Sequence, residues 1–70
     1  MSYTMGEKIL IAMKRKKLTL AELSNLLGTS NQNLSSKLKR DNLSEKDLHQ
    51  IAHAMGARYE GFLLFENETI

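Results

Sequence analysis

The stretch Ser30-Asn31-Gln32-Asn33, with Ser36 one turn beyond Gln32, concentrates side chains that both donate and accept hydrogen bonds. A carboxamide can pair bidentately with adenine N6 and N7 in the major groove of duplex DNA. A serine hydroxyl can meet either donors or acceptors there. Lys37, Lys39 and Arg40 follow directly, and cations beside such a group suit phosphate. Helical spacing puts Gln32 and Ser36 on one stripe beside Asn33, with Leu34 and Leu38 pointing the opposite way. The plainer alternative is a solvated polar helix, yet an idle helical face favours Glu, Lys and Ala over Ser-Asn-Gln-Asn.

Other chemistries find less support. His49 and His53 have the i, i+4 spacing that a metal can use, but no ligand-bearing motif surrounds them. They flank the apolar stripe Leu48, Ile51, Ala52 and Met55. Neither a Ser-His-Asp set nor a phosphate-cradling glycine loop is present. No metal, no cofactor and no enzyme activity are expected.

Helices must position the polar stretch, and their starts are written locally. Thr4-Met5-Gly6-Glu7, Thr19-Leu20-Ala21-Glu22 and Ser44-Glu45-Lys46-Asp47 are capping boxes. The second and third add hydrophobic staples, Leu18 with Leu23 and Leu43 with Leu48. Ser30 is a fourth cap candidate, and Gly28 and Gly56 stand where helices end. The spacing predicts helices over residues 5–16, 20–27, 31–40 and 45–55. Residues 58–66 read instead as a strand of about eight residues, because Tyr59, Gly61, Leu63 and Phe65 form an apolar parity. A lone strand needs a partner. Either Asn67 turns the chain into a short hairpin ending at Ile70, or the strand pairs with its copy in a second subunit.

Composition agrees with one small domain. The chain has 70 residues, no cysteine and no proline, which excludes disulfides and thiolate metal sites. The net charge of +2 divides unevenly. Residues 1–40 carry eight basic side chains against two acids; residues 41–70 carry two against six. A basic half points to a polyanion partner. No apolar run approaches a membrane span. Glu7 precedes the first apolar run and the basic residues follow it, unlike a cleavable signal, so a cytoplasmic protein is expected.

The stretch Leu18-Thr19-Leu20-Ala21-Glu22-Leu23-Ser24-Asn25-Leu26-Leu27-Gly28-Thr29-Ser30-Asn31-Gln32-Asn33-Leu34-Ser35 has the form of a helix-turn-helix. Ser24 is small enough for close helix approach, and Gly28 makes the turn. Here the chain resembles the lambda-repressor-like family of the Cro/phage-repressor type (XRE-like). With Ile9, Ala12 and Met13 before the motif and Ile51-Ala52 and Met55-Gly56 after it, the resemblance covers residues 4–57. This chain departs from the family at Leu20, where Gln is usual and contacts a phosphate; at Ser24, usually Ala; at Thr29, usually Val or Ile; and at Lys37, usually apolar.

The resemblance implies a mostly α fold: a four-helix lambda-repressor-like bundle containing the helix-turn-helix, followed by one C-terminal β-strand or short hairpin. It implies sequence-specific binding of double-stranded DNA by a small transcriptional regulator, with residues 31–40 in the major groove. Ser30, Asn31, Gln32, Asn33 and Ser36 would then meet bases. Thr19, Lys17, Lys37, Lys39 and Arg40 would meet phosphates. Residues 1–70 would form the single domain and 57–70 a dimerisation tail, with Tyr59, Phe62, Leu63, Leu64 and Phe65 at the subunit contact of a homodimer. Two copies would present their recognition helices about 34 Å apart. A second class fits the same residues: a protein-interaction module, such as an antitoxin-type or phage or mobile-element accessory protein.

Overall fold

The computed structural model describes residues 3–70. Each helix begins at its own cap. Thr4 opens α1 (Met5–Arg15), Thr19 opens α2 (Leu20–Leu27), Ser30 opens α3 (Asn31–Arg40) and Ser44 opens α4 (Glu45–Ala54). All three expected capping boxes are complete, at Thr4/Glu7, Thr19/Glu22 and Ser44/Asp47. Each leaves fewer orphan amides at a helix start. α1 and α4 stop one residue short of the expected ends, at caps Lys16 and Met55.

The four helices end alike. A left-handed residue follows each, and the next amide reaches back to the last turn: Leu18 to Met13, Thr29 to Ser24, Asn42 to Lys37 and Ala57 to Ala52, at 2.8–3.1 Å. This is the Schellman arrangement. Gly28 and Gly56 take the left-handed position after α2 and α4, as expected; Lys17 (φ 55°) and Asp41 (φ 53°) take it after α1 and α3. A side chain in that conformation costs about 1–2 kcal/mol.

α3 packs between α1 and α2, and α4 lies against α2. Ile9, Ala12, Met13, Leu23, Leu34, Leu38, Leu48, Ile51 and Ala52 form the core, joined by Ala57 and Leu63. Leu18 and Leu43, the outer halves of the staples, are half-buried against it. At the α1–α3 seam the backbones approach so closely that a Cβ on Gly6 would collide with the Leu38 carbonyl. Asp41 closes this seam, accepting the Gly6 N–H on Oδ1 at 2.8 Å. None of the helices among the described residues is long and apolar enough to cross a membrane.

The C-terminal segment differs from a single strand over 58–66. It forms two short strands, β1 (Arg58–Tyr59) and β2 (Leu63–Leu64), paired antiparallel with Arg58 opposite Leu64 and Tyr59 opposite Leu63. The break falls at Gly61, whose φ of 80° reverses the chain, with the Glu60 N–H donating to the Phe62 carbonyl. The chain then folds back again. Leu63 and Ile70 exchange backbone hydrogen bonds at 2.9 Å, and Leu64 bridges to Thr69. The segment finds its partner within the chain, through the turn expected at Asn67. β2 therefore has neighbours on both edges and no free edge for a second copy. Two-residue strands are marginal alone; here Leu63 is inserted into the core and β1 rests on α4.

Candidate nucleic-acid interface

The outward face of α3 is the most polar helical surface, and its geometry follows from the core stripe. Leu34 and Leu38 are buried, so Gln32, Lys39 and Arg40 project on the exposed side, with half-buried Ser36 between them. Among the described residues Gln32 and Ser36 make no side-chain hydrogen bond, and Lys39 and Arg40 form no ion pair. The other first-turn candidates have partners within the chain. Ser30 Oγ accepts the Asn33 N–H at 3.1 Å as the helix cap. Asn33 Nδ2 donates to Thr29 Oγ1 at 2.8 Å. The Asn31 amide meets the hydroxyl of Ser24 on α2.

The expected phosphate contacts divide in the same way. Lys39, Arg40 and Lys17 are exposed. Lys37 is half-buried and paired with Asp47 on α4 at 3.2 Å, which ties α3 to α4. The Asp47 carboxyl is held below its ordinary range by the Ser44 backbone amide first and by Lys37 after it. Thr19 makes three hydrogen bonds with Glu22. Its hydroxyl accepts the Glu22 N–H and donates to Oε1, and its own N–H donates to the same carboxylate at 2.9 Å. That backbone bond and the hydroxyl hold the Glu22 carboxyl below the usual carboxylate range. A phosphate at Thr19 would meet the Glu22 anion already seated at the start of α2.

The basic end of α1 is partly used by the tail. Arg15 and Lys16 hold Glu68 at 2.7 and 3.1 Å, and Lys16 lies 4.3 Å over the Phe65 ring. Arg15, then Lys16, keeps the Glu68 carboxyl below its ordinary range. Near the start of the helix, Lys8 sits 4.9 Å over Phe62. Lys14 and Lys17 remain exposed and form no ion pair among the described residues.

The residues expected at a subunit contact scatter. Leu63 is fully buried in its own subunit, so it offers nothing to a partner. Tyr59, Leu64 and Phe65 are half-buried, Tyr59 set edge-on to His49 at 5.3 Å. Phe62 stands 52% exposed at the hairpin turn. Sequence reasoning missed five structural partnerships around the site: those of Gly6, Asp41, Glu68, the hydroxyl of Ser24, and Asp47 with Lys37. Only Gly61, an isolated glycine inside a strand pattern, carried a readable signal of its break. Comparison with protein-family models, with curated proteins and with solved structures finds no match to this chain.

Proposed function

We propose that the protein binds double-stranded DNA in a sequence-dependent way, with α3 in the major groove, as a small transcriptional regulator. The observation that carries this reading is the outward face of α3. Among the described residues Gln32 and Ser36 keep their hydrogen-bonding groups unspent, and Lys39 and Arg40 stand unpaired at its end. Amide and hydroxyl groups read base edges, and the cations neutralise phosphate. The α2–turn–α3 arrangement presents that face, with Gly28 at the turn and Leu23, Leu34 and Leu38 beneath it.

The proposal extends to two copies acting together. One helix reads only a few base pairs, whereas two half-sites a helical turn apart multiply their discrimination. The tip residue Phe62 is the exposed aromatic of the hairpin through which copies could meet. Selection of bound fragments from random duplex DNA, followed by anisotropy titrations at several salt concentrations, tests the reading. A two-fold-repeated motif whose affinity falls steeply with salt is the expected result. Binding that shows neither sequence preference nor salt dependence would overturn it. Sedimentation at micromolar concentration tests the pairing of copies, and a clean monomer both free and on DNA would remove it.

A further inference from the structure

Ser24 is the one buried polar side chain among the described residues, at 2% exposure. It lies on α2, and two groups converge on its hydroxyl: the Ala21 carbonyl at 3.1 Å and the side-chain amide of Asn31. A serine hydroxyl has a single proton and two lone pairs. The structure sets Asn31 Oδ1 against the Ser24 hydroxyl, whose one proton serves that oxygen or the Ala21 carbonyl. Asn31 is the first residue of α3 and stands three and seven positions before Leu34 and Leu38. Those offsets place its Cα in line with the core stripe, at the exposed start of the helix, from where the side chain reaches Ser24. Its amide is thus drawn back across the α2–α3 seam.

Asn33 is held as well, by its bond to Thr29 in the turn. All three amide side chains in the first turn are exposed, but among the described residues only Gln32 has neither end in a hydrogen bond. A bidentate contact with adenine needs an amide oxygen and nitrogen that can be brought together to N6 and N7.

We infer that Ser24 and Asn31 are a positioning pair that fixes the recognition helix against α2, and that Gln32 is the single adenine reader of its first turn. The inference rests on the DNA-binding reading above. It narrows the ligand to duplex half-sites in which one adenine is specified by an amide side chain. Asn31 acts on the bases through the pose of α3, so its loss should blur several positions together.

Selection from random duplex DNA separates these roles. The wild-type chain is compared with Gln32→Ala, Asn31→Ala, Ser24→Ala and the Ser24→Ala/Asn31→Ala pair, each checked for an intact thermal transition. Gln32→Ala should erase preference at one adenine, by roughly 5- to 150-fold, and leave the other positions sharp. Asn31→Ala and Ser24→Ala should each weaken preference at several positions by smaller, similar factors. The double variant should be no worse than the poorer single one. An Asn31→Ala profile that loses one base position cleanly, with Ser24→Ala unchanged, would overturn the inference while leaving DNA binding intact. A wild-type selection that yields no motif would overturn both.

Discussion

At the end of α1, Arg15 and Lys16 hold Glu68 at 2.7 and 3.1 Å, while at the end of α3 Lys39 and Arg40 stand exposed and form no ion pair among the described residues. Both runs complement a helix dipole, and both helices finish on a left-handed residue that is not glycine. The α1 run is partly consumed in fixing the C-terminal tail. The α3 run has only Lys37 spent, on Asp47. The number of basic residues at a helix end therefore says little about how much positive charge is offered to a partner. What decides it is which acids the rest of the chain folds back onto them.

The left-handed ends differ too. Asp41 gains the Gly6 N–H and so belongs to a second helix, whereas Lys17 makes no side-chain contact of that kind. The largest expected effect breaks this side of the comparison. Gly6→Ala forces a Cβ onto the Leu38 carbonyl, backbone against backbone, and should lower stability by about 3 kcal/mol in thermal or denaturant melts. A loss under about 1 kcal/mol would mean that the α1–α3 seam opens easily and that Asp41 is no more tied down than Lys17.

Removing charge tests the two ends against each other. Arg40→Ala should weaken binding to all duplex sequences roughly tenfold at low salt and reduce the salt slope by about 1. Arg15→Ala, whose charge is already answered by Glu68, should leave both within experimental scatter. Equal losses in an anisotropy titration would erase the distinction. Lys17→Gly should stabilise the protein by about 1 kcal/mol, since it relieves a left-handed side chain and removes no partner. Asp41→Gly should not share that gain, because it also deletes the acceptor for Gly6.

The smallest effect concerns pH. The Glu68 carboxyl is held low by Arg15 and Lys16, so its folded pKa lies below the unfolded one. The contribution of that clamp is complete above the unfolded value. It disappears as pH falls through the folded value, on the acid side of an ordinary glutamate. Phe65 ring signals followed by NMR should move in that window, and Glu68→Gln should shift them already at neutral pH.

What was legible in the sequence was local. Thr4 with Glu7, Thr19 with Glu22 and Ser44 with Asp47 lie three residues apart, and their pairing needs only a helix start. Helix boundaries and the core stripe followed from them. Partners distant in sequence were hidden: Asp41 meets Gly6 across 35 positions, and Glu68 meets Arg15 across 53. Nothing in Lys37 announces Asp47, so it read as free charge. The outward stripe of α3 was readable because Leu34 and Leu38 fix its opposite side. Which of its amides are spent was not, because that depends on a buried hydroxyl on another helix. The apolar alternation continues on both sides of Gly61, so the pattern alone predicts one uninterrupted strand.

The Gly6–Asp41 bond has a kinetic side as well. Amides in the first turn of a helix ordinarily exchange with solvent by fraying, without the protein unfolding. Gly6 is the second residue of α1, yet its N–H is held by a residue 35 positions away. Its exchange therefore requires the Asp41 contact at the seam between the first and third helices to break. Slow hydrogen exchange at Gly6 would make this terminal amide a reporter of global opening. It would also mark the closure of that long loop as the step that joins otherwise local helices into one cooperative unit.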